Sequence, residues 1–286
     1  MQAPTRDLSA LRAEIDRLDD AILDLLSQRL AIVSGVAAAK GDRDRGSLAL
    51  RPAREAEILR RLVTRAAGRF PALPLARIWR ELLAVTTQAQ TPFKVAIACE
   101  PGAALWDLAR DHLGTSTPLE RVPQPADALR RLRDGKASMA FLPLPDAGEA
   151  MPWWRSLAAG GSDQLSSARV IGRLPFVRSS GSQPECFVVA ALEIDQGEDD
   201  RTLLVMEMAS GVSRSRLAEV LAAQNLDPVL LVSLRDPASE AAFHLVEIAG
   251  AHQARMAALE GRLAPLRADL LRMAAIGGYP RPLTLD

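Results

Sequence analysis

Arg29 falls where the first apolar stripe of the chain calls for a hydrophobic residue, following Leu8, Ile15 and Ile22 at steps of seven. A cation there faces the interior of a helical bundle, and an unpaired buried charge costs enough to require a carboxylate or an anionic ligand. Lys40 comes eleven residues later, roughly 16 Å along a helix, a gap that a small dianion and two long side chains can span. Arg54 opens the next helical run, where it can turn toward the same space, and Glu55 beside it can accept hydrogen bonds. Thr86 and Gln90 extend the row Leu75, Trp79, Leu82 of a third run, so a hydroxyl and an amide project into apolar surroundings. Each residue alone has a structural explanation: Arg29 paired to Glu55, Lys40 favoured by a helix C-terminus, Thr86 and Gln90 closing local packing. Together, a surplus of cations and neutral donors over carboxylates on one inward face is better explained by an anionic guest.

Three elements must position these groups. From Leu8 to Lys40 there is no proline, and no glycine before Gly35. Leu8, Leu11, Ile15, Leu18, Ile22 and Leu25 alternate steps of three and four, and Ile32 continues them across Arg29, the seam of one long helix that needs a partner along its length. A polar turn from Gly41 to Ser47 precedes Pro52 and a second helix over Arg54 to Ala67, with Ile58, Leu59, Leu62 and Val63 on one face. Gly68 and the Pro71 to Pro74 stretch interrupt it, and a third helix runs to about Gln90.

Beyond Pro92 the patterning becomes α/β: a strand at Val95 to Ala98, a helix through Leu113, a helix at Ala126 to Arg133, and strands at Met139 to Leu142, Arg169 to Leu174 and Cys186 to Leu192. After the acidic Glu193 to Asp200 stretch follow a strand at Thr202 to Met208 and a helix at Ser213 to Gln224. Strands at Pro228 to Leu234 and Ala241 to Ile248, a helix at His252 to Leu270 and a strand at Arg272 to Ile276 complete a split βαββαβ ferredoxin-like arrangement. The expected division is 1–92, 93–196 and 197–286.

Lysine plus arginine and aspartate plus glutamate each total 35, so there is no global field to recruit nucleic acid or a membrane surface. Cys99 and Cys186 lack a Cys-x-x-Cys spacing, which argues against a disulfide framework or a structural metal. The first residues lack the order of a signal peptide, and no stretch reaches about 18 apolar residues; the expected compartment is the cytoplasm. His112, His244 and His252 are scattered, and Trp153 with Trp154 reads as a packing cluster.

Residues 8 to 90 resemble the all-helical chorismate mutases, particularly those fused to prephenate dehydratase. The resemblance rests on Leu11-Arg12-x-x-Ile15-Asp16-x-Leu18-Asp19, Leu25-Leu26-x-x-Arg29, Lys40, Arg51-Pro52-x-Arg54-Glu55 and Ile78-Trp79-Arg80-Glu81. It implies that Arg12, Arg29, Lys40, Arg54, Glu55, Thr86 and Gln90 hold chorismate, with Arg29, Lys40 and Gln90 in catalytic roles. Two departures stand out: Arg51 where some members carry aspartate, and Thr86 where serine is common. The implied reaction is the Claisen rearrangement of chorismate to prephenate, which requires no cofactor and no metal.

Arg12 lies 17 residues before Arg29 and 28 before Lys40, roughly 25 Å and 42 Å on a straight helix. One chain cannot join all three, so the expectation is a homodimer in which an antiparallel helix delivers Arg12 to the neighbouring site.

The expected fold is therefore multidomain: an all-α three-helix mutase domain forming an intertwined dimer, then a small α/β dehydratase-like lobe, then a ferredoxin-like domain of ACT type. In the middle segment Glu100-Pro101-Gly102 and Asp134-Gly135 resemble dehydratase motifs, but the family's threonine-arginine-phenylalanine appears as Glu185-Cys186-Phe187. The expectation is that dehydratase activity is absent. The ending Ile276-Gly277-Gly278-Tyr279-Pro280 resembles that of fused dehydratases, and Gly211, Val212, Arg235 and Asp236 are candidate contacts for an aromatic amino acid effector. The competing readings are a bifunctional mutase/dehydratase and a non-catalytic, metabolite-sensing regulator.

Overall fold

The computed structural model describes the chain except for residues 1–6, 41–47, 150–151, 160–166, 180, 182, 193–196, 198, 210, 236–240, 251–255 and 286, and the side chains of 34 and 36–40. Three helices open it: α1 (Leu8–Lys40), α2 (Pro52–Ala66) and α3 (Ala72–Gln90). Pro52 begins α2 because its ring presets the helical φ and its missing N–H costs nothing in the first turn. Among the described residues no helix is long and apolar enough to cross a membrane.

The α/β region follows as β1 (Val95–Ala98), α4 (Ala104–Leu113), β2 (Leu119–Val122), α5 (Pro125–Arg133), β3 (Met139–Pro143), α6 (Trp153–Ala158), β4 (Ala168–Leu174), β5 (Val177–Arg178) and β6 (Cys186–Ala191). The chain then runs through β7 (Asp200–Met208), α7 (Arg214–Ala223), β8 (Val229–Arg235), β9 (Ala242–Ala249), α8 (Met256–Arg262), β10 (Leu270–Pro280) and β11 (Leu283–Thr284). Nine strands form one sheet in the order β2-β1-β3-β6-β4-β10-β7-β9-β8. Its last four strands are antiparallel neighbours in the 4-1-3-2 order that a split βαββαβ unit produces.

Three differences from the sequence expectations have local causes. Strand β2 carries exposed Glu120 and Arg121 at its centre, so its sequence lacks an apolar signal; it pairs in parallel at the sheet edge. Helix α6 has six residues, too few for periodicity to register, although its Trp153 and Trp154 are buried as a packing cluster. The helix expected over His252 to Leu270 is described as α8 followed by a 3₁₀ turn at Ala264–Leu266. Pro265 stops an α-helix there by lacking the N–H and crowding the preceding turn.

Alternation on β1 and β3 assigns two cores. Val95, Ile97, Met139 and Phe141 face one that also holds Leu50, Ala56 and Leu59 of the α2 region, Ala76 of α3 and Leu105 of α4. Ala96, Ala98, Ala140 and Leu142 face the other, which includes Trp153, Trp154, Leu203, Val205, Ile276 and Tyr279. The second core therefore spans both halves of the sheet. A third lies between α7, α8 and the opposite side of β7 and β9.

The halves join where β4 runs parallel to β10, with Gly277 opposite Val170. Gly277 has φ +152°, and a Cβ there would stand 2.2 Å from the Val170 carbonyl oxygen and 2.4 Å from its nitrogen. Only glycine permits that backbone approach. Replacing Gly277 with alanine is expected to lower stability by at least about 2 kcal/mol, since backbone strain and overpacking each typically cost 1–3 kcal/mol. The check is the shift in urea midpoint, and an unchanged midpoint would contradict the contact.

Candidate functional site

Arg12, Arg29 and Lys40 all lie on α1, with Arg12 exposed and Arg29 half-buried. Lys40 ends the helix, and its side chain lies outside the described residues. The seam is present but bare: Leu8, Ile15, Leu18, Ile22, Leu25 and Ile32 are each 54 to 68% exposed. A single chain thus spaces Arg12, Arg29 and the backbone of Lys40 along one rod and does not gather them.

The expected inward row on α3 was Leu75, Trp79, Leu82 and Thr86. The buried positions are instead Ala76, Arg80, Leu83, Ala84, Thr86 and Thr87, so the helix is rotated by about one residue and Ile78 and Val85 are exposed. That rotation puts Arg80, not Leu82, at the interface with α2. Glu55 and Arg80 are only 8% and 7% exposed, and Arg80 Nη1 donates to Glu55 Oε2 at 2.7 Å. Burial pushes the Glu55 carboxyl above its ordinary range while Arg80 opposes the shift; burial likewise works against the charge on Arg80, and Glu55 restores it. The guanidinium also lies over the Phe176 ring, 5.6 Å from its centroid.

The other candidate ligands are engaged close to home. Arg54 Nη1 donates to Glu57 Oε2 at 2.6 Å, and both side chains are more than 60% exposed. The Thr86 hydroxyl donates to the carbonyls of Leu82 and Leu83 at 3.0 and 2.9 Å, and Gln90 Nε2 to that of Thr86 at 3.1 Å. The structure therefore places Glu55 on α2 and Thr86 and Gln90 on α3, each bonded within that packed pair, and leaves Arg12 and Arg54 exposed and Arg29 half-buried.

Sequence reasoning missed Arg80 as a buried cation, although the signal was the one that singled out Arg29: a charge inside an apolar stripe, here Ala76, Arg80, Leu83, Thr87. The same is true of His112. Its half-buried ring packs edge-on to Phe141 and is kept neutral, its pKa lowered well below the usual value by burial and then by Arg80.

In the middle segment Glu185 and Cys186 occupy the positions discussed for the dehydratase motif. Glu185 accepts from Arg173 Nε at 2.7 Å and pairs with Arg178 at 2.9 Å. Arg173 also reaches Glu247 at 2.7 Å, where the Tyr279 hydroxyl donates to the same carboxylate oxygen. Cys186 is fully buried as a free thiol, and burial pushes its ionisation far up. No acid–base or nucleophilic role suits a thiol held neutral in this way.

For the C-terminal candidates, β7 ends at Met208 opposite Ala242, and Arg235 of β8 also pairs with Ala242. Exposed Gly211, half-buried Val212 and exposed Arg235 thus lie beyond the same end of the sheet. Asp236 lies outside the described residues.

Residues 11–91 match the family model of type II chorismate mutase. The bifunctional chorismate mutase/prephenate dehydratase of Stutzerimonas stutzeri is 28% identical over 145 residues, 50% of this chain and 40% of that protein. The match thus spans less than half of that relative's length. Among solved structures, the quorum quenching acylase GqqA is similar at TM-score 0.48 and 15% identity, over 65% of this chain and 94% of that one. A prephenate dehydratase from Streptococcus mutans gives 0.47 and 11%, over 68% and 100%. The resemblance drawn from the motifs of residues 8 to 90 and the family match fall on the same segment.

Removing Arg80 alone strands a buried carboxylate, so Arg80→Met is expected to cost about 3–5 kcal/mol, and the double variant with Glu55→Leu less than the sum of the single changes. A urea-denaturation double-mutant cycle measures this; strict additivity would contradict the pairing.

Proposed function

We propose that residues 8–90 form a chorismate mutase that converts chorismate to prephenate, acting in a cytoplasmic homodimer. The observation that carries this reading is the coincidence of the family match over residues 11–91 with a cation-rich ligand set in the same segment. The bare seam of α1 supports the assembly, because a helix with this much exposed leucine and isoleucine gains by burying it against a second copy at about 25 cal/mol per Å².

The rearrangement is pericyclic, so no proton leaves and no covalent intermediate forms. What accelerates it is holding the reactive conformer and stabilising charge as the ether bond breaks. Arg29 and Arg12 of the partner subunit take the two carboxylates, where planar guanidinium forks give bidentate contacts. Lys40 and Gln90 donate to the ether oxygen as negative charge develops there. Arg54, Glu55 and Thr86 orient the hydroxyl and a carboxylate. In the single chain Thr86 and Gln90 bond to their own helix and Glu55 to Arg80. Docking of the second α1 and of substrate then re-aims groups that are already satisfied, which lowers the cost of leaving them buried without a ligand.

We propose that the second activity in the name of the relatives is absent, the support being the substitution of Glu185-Cys186 in the motif and the occupation of Glu185 by Arg173 and Arg178. The C-terminal unit, an ACT-type domain in this reading, takes an aromatic amino acid at Gly211, Val212, Arg235 and Asp236. The functional division follows 1–92, 93–196 and 197–286, with the last two segments sharing one sheet.

Purified protein is expected to deplete chorismate, with a rate flat from about pH 6 to 8 because Gln90 donates without titrating. Arg29→Ala is expected to lose about 10²–10³ in rate, and activity should fall on dilution as dimers part. Depletion that survives in a demonstrated monomer would refute the shared site, and no depletion at all would favour the regulator reading. Chromatography of the products should show prephenate and no phenylpyruvate; phenylpyruvate formed by the enzyme would restore the bifunctional reading.

A further inference from the structure

A cleft of about 410 Å³ opens between α3, α4 and residues Pro175, Phe176, Val177, Ser179, Gln183 and Pro184, within the roughly 300–1,000 Å³ usual for small-molecule sites. Its apolar lining comes from Leu73, Ala76, Leu108, Phe176 and Val177. Arg80 and His112 reach it from the interior side. Arg80 spends one nitrogen on Glu55; among the described residues its Nε and Nη2 have no hydrogen-bond partner, and neither has a ring nitrogen of His112. The guanidinium is about nine-tenths buried, and its unused donors open onto the cleft, where an acceptor in low dielectric would gain a charge-assisted hydrogen bond.

The walls are braced before any ligand arrives. Arg77 on α3 bonds Asp111 on α4 at 2.8 Å. Both Glu81 carboxylate oxygens accept from the Thr115 backbone N–H, at 3.0 and 3.2 Å. Gly114 lets the chain pass, since a Cβ there would meet Glu81 Oε2 at 2.5 Å. At the rim the Asp107 carboxylate disfavours a second negative charge.

We infer that this cleft is a binding site for a small monocarboxylate with a flat apolar body, its carboxylate held by the free edge of Arg80 and by the His112 ring N–H, its body against Phe176 and Leu108. None of the groups assigned to the rearrangement lines the cleft, although Glu55 shares the Arg80 guanidinium with the occupant. The site and the mutase reading therefore stand or fall separately. Occupancy is read by binding, rearrangement by chorismate depletion.

Calorimetric titration of the full chain with phenylacetate is the test, with 2-phenylethanol as the uncharged counterpart. Phenylacetate is expected to bind one site per chain and 2-phenylethanol at least tenfold more weakly. Ala104→Trp, which fills the mouth from an exposed position on α4, should weaken phenylacetate binding at least tenfold and leave chorismate turnover unchanged. Arg80→Lys, which keeps a cation opposite Glu55 but removes the guanidinium edge, should weaken it similarly. No saturable binding of phenylacetate, equal binding of the alcohol, or undiminished binding by folded Ala104→Trp would each overturn the inference.

Discussion

Charge taken out of water has to find its opposite nearby, and that requirement organises this chain. Glu55 and Arg80 hold α2 to α3 through a contact neither helix supplies alone. Glu247 of β9 receives Arg173 from β4, Arg201 from β7 and the Tyr279 hydroxyl from β10, so one carboxylate ties strands from both halves of the sheet. The Coulombic gain of such contacts is largely offset by desolvation, and their net contribution to stability is small. Losing one partner is what costs heavily, so the elements that carry them are held in a common register.

Helix α1 is governed by the opposite situation. Arg12 is exposed, Arg29 half-buried, and most of the helix's leucines and isoleucines are uncovered, whereas α2 and α3 bury Ala56, Leu59 and Ala76 on the α/β core. The three helices therefore do not behave as one compact unit within a chain. Two have their cover in this sequence, and the third has a long unfilled seam. That asymmetry is the physical ground for the proposal of a site between subunits, since the donors that would surround a dianion are split between a long exposed helix and a packed pair.

Arg80 links these themes. It neutralises the carboxylate that the rearrangement would use to orient a hydroxyl, and it faces the cleft with its remaining donors. The Gly277 contact plays a comparable part for the backbone, since it allows the middle and C-terminal strands to share a core containing Trp154, Phe187 and Tyr279.

Much of this was legible in the residues. An unbroken run without proline specified α1, because its stripe persists from Leu8 to Ile32, about seven turns, before the first glycine at Gly35. Alternating strand and helix patterns specified the βαββαβ order of the C-terminal unit, since period and turn residues are local properties. What was not legible was the rotation of α3 by one residue, which exchanged the expected row of Leu75, Trp79 and Leu82 for Ala76, Arg80 and Leu83. Both rows are largely apolar, and which turns inward depends on the surface it meets. Equally, no local pattern announces that Val170 and Gly277 will touch or that Glu55 will choose Arg80 over Arg29. Periodicity along a chain records which faces can be buried; only the meeting of distant segments decides which of them are, because the energy of burial belongs to the pair.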